Sequence, residues 1–314
     1  MKSEKCSFQA LLSPYHLKRP IDWRGPFGRC APLDVEIGFG MGEVLLRMAE
    51  QSPDRDFVGI EQHWERMCKT LRAIARKQSE RPGVLGNIRI LKMDARVVFE
   101  RLFSARSIDT IYCLFPCPWP KKGHIKHRLF ANDFLRLLNN RLQDGGAVKI
   151  VTDFYPYGQW VLDESRGAGF LVDNKKVSPQ YGTKFERKWQ EEGQREFLEI
   201  VLTKKKHIAV PVKKDAALKK YRLKDFYADR LRLRDVTGDV TSVFKEKVWD
   251  RDKQQMIIRS LVAEQHLTQH FWITIIKTSK GWIVAPAEGQ NFFPTPGIAR
   301  ALALVYEAAQ ETIS

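Results

Sequence analysis

Strands alternating with helices, a three-glycine turn after the first strand, and a change to period-two patterning in the last third predict an α/β fold. The first part reads as a mostly parallel sheet flanked by helices, and the last part as a small α+β unit. Strand one covers 33–37 and enters the turn Gly38-Phe39-Gly40-Met41-Gly42. Val44, Leu45 and Met48 then follow at helical spacing, giving a helix over 43–51. Pro53-Asp54 breaks to a second strand, 57–60, which ends on Glu61. A long helix over 64–79 carries Met67, Leu71, Ile74 and Ala75 on one face.

Arg81-Pro82-Gly83 marks a loop before strand three at 88–91, closed by Met93-Asp94-Ala95. A short helix at 96–102 leads to strand four at 108–115 and the loop Pro116-Cys117-Pro118-Trp119-Pro120-Lys121-Lys122. A helix over 131–141, a Gly145-Gly146 turn, a strand over 147–152 ending at Asp153, and a helix over 155–167 follow. Strands near 170–173 and 196–203 complete the sheet, joined by a polar loop containing Thr183-Lys184-Phe185-Glu186. Residues 1–32, punctuated by Pro14, Pro20, Pro26 and Pro32, form a lead-in that packs over the sheet edge.

This first domain spans 1–204, and a lysine-rich basic linker covers 205–225. Residues 226–314 form the accessory α+β domain, with alternating stretches at 240–248, 255–262, 270–276 and 281–284 and a closing helix at 297–310. Its aromatic residues Trp249, Phe271, Trp272, Trp282, Phe292 and Phe293 fall mostly on the core side by alternation.

The chain's formal charge of +16 over 314 residues points to a polyanionic partner, and nucleic acid is the leading candidate. No run of 18 apolar residues exists, so no membrane span is expected. The polar start, with an early Glu, does not read as a secretory signal. Five cysteines (Cys6, Cys30, Cys68, Cys113, Cys117), odd in number and irregularly spaced, suit reduced thiols and a cytoplasmic location.

Ligands of such sheets bind beyond the carboxyl ends of the strands. Glu36, Glu61, Asp94, Cys117 and Asp153 all fall at or just past those ends. Gly38 and Gly40 let the backbone approach a ligand, and Gly59 is read as letting it lie close to strand two. A dinucleotide fingerprint, GxGxxG, would place its third glycine at position 43, which is Glu. An acid at the helix start repels a pyrophosphate, whereas an adenosyl ligand with a cationic sulfonium suits the flanking carboxylates. A tight turn without a ligand is the structural alternative.

In the proline-rich loop, Trp119 offers a face for stacking on a base, and Lys121, Lys122, Lys126 and Arg128 offer charge to phosphates. His124 and His127 are RNA-facing or solvated. They lack further ligands, and no metal site is expected.

Glu-Ile-Gly-Phe-Gly-Met-Gly-Glu at 36–43, Phe-Val-Gly-Ile-Glu at 57–61, Asp94-Ala95, Phe-Pro-Cys-Pro-Trp-Pro-Lys-Lys at 115–122, Thr152-Asp153 and Thr-Lys-Phe-Glu at 183–186 occur in this order. In this combination the chain resembles the bacterial tRNA (guanine-N7)-methyltransferase family of the TrmB type, over about 20–203. The resemblance implies a class I S-adenosylmethionine-dependent methyltransferase fold, Rossmann-like, with seven strands and the last antiparallel. It implies S-adenosylmethionine as cofactor, with contacts from Glu36, Gly38, Gly40, Glu61, Asp94, Ala95 and Cys117. It implies tRNA as substrate, held by Lys121, Asp153 and Thr183, Lys184, Phe185 and Glu186, with methylation of a guanine in the variable loop.

One position departs from the pattern: the family's loop reads Pro-Asp-Pro-Trp, and here Cys117 replaces the Asp proposed to act at the active site. Guanine N7 has a free lone pair, so the chemistry needs alignment of N7, methyl carbon and sulfur more than it needs a base. A carboxylate near the purine stabilises the charge that moves onto it. Three outcomes for Cys117 follow: Asp153 or Glu186 supplies that charge, the thiol is partly ionised by Lys121 and Lys122, or catalysis is lost and a tRNA-binding paralogue remains. Cys117 and Asp153 are thus the expected catalytic residues.

Overall fold

The computed structural model describes residues 8–313, and the chain divides into two compact units, Met1–Lys213 and Lys214–Ser314. The expectation about Cys6 lies outside the described residues. In the first unit a short helix α1 (Arg24–Phe27) precedes the alternating run β1 (Leu33–Ile37), α2 (Glu43–Gln51), β2 (Asp56–Glu61), α3 (Trp64–Glu80), β3 (Ile88–Lys92), α4 (Ala95–Arg101) and β4 (Ile108–Leu114). Then come α5 (Asn132–Arg141), β5 (Leu142–Thr152), α6 (Tyr155–Glu164), β6 (Phe170–Val177), α7 (Lys184–Glu191) and β7 (Phe197–Lys204). The seven strands lie in the order β3-β2-β1-β4-β5-β7-β6. The first five are parallel, while β7 runs antiparallel to both its neighbours. This is the class I methyltransferase order that the resemblance implied.

Helices cover both faces of the parallel strands, so every residue of β1 and β2 is buried, the acids Asp34, Glu36, Asp56 and Glu61 included. On one face Leu45 and Ala49 of α2 and Met67, Leu71 and Ile74 of α3 pack on Phe57, Ile88 and Ile90. The lead-in closes the exposed edge of β3: Leu11 bridges Ile90, and Leu12 N–H donates to its carbonyl at 2.9 Å. At the amino ends of the strands, Arg55 holds the buried Asp34 through two bonds of 2.8 Å.

Three differences from the sequence reading carry information. The polar stretch at 183–191 is a helix, α7, because Thr183 and Glu186 form a reciprocal cap on its first turn. The Gly145-Gly146 turn is an irregularity inside β5, where the pairing with β4 jumps from Leu142 to Ala147. The start of the lysine-rich stretch is docked on the first unit. Asn139 donates to the Lys206 carbonyl at 3.0 Å, Asn140 to Ile208 at 2.8 Å and Arg141 to Val210 at 3.2 Å.

In the second unit β8 (Tyr221–Leu223), β9 (Val240–Asp250), β10 (Gln255–Glu264), β11 (Leu267–Thr278) and β12 (Gly281–Pro286) form an antiparallel sheet ordered β8-β12-β11-β10-β9. Helix α8 (Pro296–Gln310) packs Ile298, Ala301, Leu302 and Val305 into one core with Ile258, Ile273, Ile275 and Val284. Phe271, Trp282 and Phe293 are buried, Trp249 and Phe292 are half-buried, and Trp272 is exposed.

Gly59 serves packing and not ligand approach. A Cβ there would stand 2.6 Å from Leu45 Cδ2 and 2.7 Å from Phe39 Cδ1. Gly59→Ala is therefore expected to destabilise the first unit by about 1–3 kcal/mol through overpacking. A denaturant titration of the intact protein measures this, and an unchanged midpoint would refute it.

Candidate cofactor and substrate site

The turn after β1 is built from three left-handed residues: Gly38 (φ 71°), Gly40 (φ 58°) and Gly42 (φ 78°). Gly42 is required by its neighbour, since a Cβ would lie 2.5 Å from Thr70 of α3. A Cβ on Gly38 would meet nothing within 4 Å, and one on Gly40 only the Gly38 carbonyl at 3.9 Å. The open space beside these two is a cavity of about 240 Å³. Glu36, Gly38 and Gly40 line it from β1 and the turn, Leu114 and Phe115 from the end of β4, and Thr183, Lys184 and Phe185 from α7 and its cap.

Glu36 is 4% exposed, and its Oε2 has no hydrogen-bond partner. Burial pushes its carboxyl up to about 8, against the opposing pull of Arg47 and a bond from the Leu45 N–H. A buried carboxyl left with a free oxygen beside an open cavity suits a cationic ligand.

The other acids are engaged. Glu61 accepts from the N–H groups of Gly40 (3.1 Å), Gln62 (2.9 Å) and His63 (2.9 Å), so it braces the glycine turn against the start of α3. Asp94 caps α4 through the Arg96 N–H at 2.8 Å, and its second oxygen takes Gln62 Nε2 at 2.7 Å. Ala95, the first residue of that helix, is buried. Glu43 accepts from the Lys184 N–H at 2.8 Å and pairs with Arg187, which ties α7 to the start of α2. Sequence reasoning gave Glu43 only the task of repelling phosphate; its tie to residues 141 and 144 positions away left no local signal.

Glu186 is 1% exposed and accepts from the N–H groups of Gln180, Tyr181 and Thr183, each at 3.0 Å. Thr183 Oγ1 in turn accepts from the Glu186 N–H. Both side chains are thus fixed in the cap, while Lys184 and Phe185 are exposed.

Cys117 is exposed on the loop after β4, and Asp153 follows β5, the adjacent strand. Asp153 is half-buried; burial raises its carboxyl, and Lys188 opposes the rise. Trp119 is half-buried between His127, at 5.2 Å, and His124, at 5.6 Å ring to ring. Lys121, Lys122 and Lys126 are exposed around it. Arg128 does not join them: it is 6% exposed and donates to the Pro118 carbonyl at 2.9 Å. Among the described residues no cluster of His, Cys, Asp and Glu has a metal-binding arrangement, and no helix is long and apolar enough to cross a membrane. Cys30, Cys68, Cys113 and Cys117 are free thiols.

Residues 30–198 match a family model described as "Putative methyltransferase" (Methyltransf_4). A tRNA (guanine-N(7)-)-methyltransferase of Chlorobium phaeobacteroides is 44% identical over 176 residues, covering 56% of this chain and 83% of its own. One from Thermotoga maritima is 30% identical over 295 residues, 91% of this chain and 92% of its own, so the likeness extends through the second unit. Among solved structures, the 16S rRNA methyltransferase KamB is 17% identical, covers 59% of this chain and 93% of its own, and superposes with a TM-score of 0.46.

The state of Glu36 yields a pH dependence of folding. Its folded value of about 8 lies above the ordinary 4.5, so the folded chain holds a proton that the unfolded chain releases. The stability from this group is complete below about pH 4.5 and is lost as pH rises through 8. Glu36→Gln, without a ligand, is expected to flatten the curve over that window by a few kcal/mol. Denaturant midpoints at pH 5 and pH 8 test it, and identical pH slopes for both proteins would dismiss it.

Proposed function

The chain belongs to the tRNA (guanine-N7)-methyltransferase family, and from that premise we propose that it methylates N7 of a guanine in the variable loop of tRNA. S-adenosylmethionine, when bound, supplies an electrophilic methyl group on a sulfonium. The observation that carries the reading is the unpartnered oxygen of Glu36 beside the open glycine cradle. The site has a buried carboxyl that a cationic partner would ionise, space, and a backbone without Cβ atoms where an adenosyl ligand requires them.

The residues of the chain then divide the work. Glu36 meets positive charge in the cavity, and Gly38 and Gly40 leave room for the ligand to lie against the turn. Glu61 and Asp94 fix that turn and the start of α4, and the same carboxylates would accept hydrogen bonds from the cofactor. Lys121, Lys122, Lys126 and the exposed Lys184 attract the phosphates of the RNA. Phe185, 47% exposed, and the half-buried Trp119 offer faces to a base.

N7 needs no deprotonation, so the residues contribute alignment and charge. As positive charge passes to the purine, a carboxylate beyond β5 stabilises it. Asp153 is favoured over Glu186 for this, because Glu186 already accepts three backbone N–H groups while Asp153 is half-buried and near the Cys117 loop in the sheet order. Cys117 accepts and donates only weakly, and stands where the family carries an acid.

Incubation of unmodified tRNA with labelled S-adenosylmethionine should give 7-methylguanine. Asp153→Asn is expected to lower kcat by about 10- to 100-fold, and Cys117→Asp to raise it. No product from either wild type or Cys117→Asp, with tRNA still bound, would leave the non-catalytic tRNA-binding reading in place.

The second unit extends the tRNA footprint in this proposal. Residues 214–314 hold 16 basic against 12 acidic side chains, a net positive balance that favours phosphates. A chain ending at Lys213 is expected to bind tRNA more weakly and with a shallower salt dependence. Equal affinity and slope would exclude the second unit from the footprint.

A further inference from the structure

The loop that carries Cys117 and Trp119 has prolines at 116, 118 and 120, so three of its seven residues lack an N–H to anchor it. Its shape must be imposed through its carbonyls. Phe115 N–H still donates to Val151 of β5 at 2.8 Å, and past that point the ladder ends. Trp119 adopts φ 43°, a left-handed conformation that a tryptophan does not hold unaided.

Arg128 supplies the missing donors. Its Nε meets the Pro118 carbonyl at 2.9 Å, and its terminal nitrogen reaches Trp119 O at 3.5 Å. Beneath the guanidinium lie two rings of α6: Trp160, 5.1 Å from its carbon to the ring centre, and Tyr157, at 5.5 Å. The cation is held from below by the ring faces and from above by carbonyl dipoles.

The backbone of Arg128 is fixed as well. Arg96, in the first turn of α4, donates to Leu129 O at 2.9 Å, and the Arg96 N–H is the donor that Asp94 caps. A continuous set of bonds therefore joins the end of β3 to the loop after β4.

We propose that Arg128 is a positioning residue: it sets the Cys117–Trp119 loop at the height and turn at which the substrate base meets the methyl donor. The inference rests on the methyltransferase reading above. Arg128 touches neither ligand and acts through Pro118 and Trp119. Lysine cannot replace it, because a single ammonium lacks the planar fork that spans two carbonyls and lies flat on two rings.

The test compares wild type, Arg128→Lys and Arg128→Ala by tRNA methylation, S-adenosylmethionine binding by calorimetry, and the NMR backbone chemical shifts of Trp119, Lys121 and Lys122. In Arg128→Lys, kcat should fall tenfold or more with the cofactor Kd within twofold of wild type. The shifts of those three residues should move while those of β1 to β3 stay in place. Added methylguanidinium should restore part of the rate in Arg128→Ala. A kcat within twofold of wild type in Arg128→Lys, or unchanged loop shifts, overturns the proposal.

Should the arginine variants unfold, Trp160→Leu removes one supporting ring without touching the loop. It should reproduce both the kcat–Kd split and the local shift changes; normal values for both would overturn the role of Arg128. A wild-type chain that makes no 7-methylguanine sinks the methyltransferase reading instead, and the loop shifts then decide the positioning role alone.

Discussion

Loops that leave the carboxyl edge of the sheet carry backbone N–H groups that no strand ladder satisfies, and carboxylates satisfy them after β1, β2 and β3 and before α7. Glu61 accepts three such donors at the glycine turn and the start of α3. Glu186 accepts three before and at the cap of α7, and Asp94 accepts one at α4. Charge-assisted bonds of this kind are stronger than neutral ones and cost a large desolvation penalty if broken. The site's shape is thus set by its acids before any ligand arrives. Glu36, with an oxygen free, is the exception that leaves a carboxyl open to a ligand.

The same division separates the glycines. Gly42 and Gly59 are small because Thr70, Leu45 and Phe39 fill the space where a side chain would go. Gly38 and Gly40 are small where protein atoms are absent, so their missing side chains define a cavity. Four glycines within 22 residues read alike in the sequence, and only the packing around each distinguishes a structural demand from a ligand-sized gap.

Much of the fold was legible because local rules and tertiary outcome agree. Val44, Leu45 and Met48, or Met67, Leu71 and Ile74, mark helices that bury those faces, and the strands between them follow from short apolar runs. The spacing Thr183-x-x-Glu186 was also a legible helix start, a capping box, but the polar residues after it masked the helix. Gly59 and Arg128 were illegible for a different reason. The partners that define them, Phe39 and Leu45 for one and Tyr157 and Trp160 for the other, lie 14 to 32 residues away in sequence. A basic residue in a basic loop reads as solvent-facing until the rings that bury it are known.

Strand order then decides what each edge residue can reach. The order reverses between β1 and β4, and the cavity lies between the ends of those two strands, the crevice where open α/β sheets take their ligands. Asp153 sits one strand further out, past β5, beside the loop that Arg128 holds. In the proposed transfer the donor would lie at β1 and β4 and the acceptor base toward β5. Charge on the acceptor would then develop on Asp153's side of the loop. With N7 already bearing its lone pair, the acid missing at Cys117 removes one source of electrostatic stabilisation while donor placement and the β5 carboxylate remain, so the substitution bears on rate more than on whether the geometry for transfer exists.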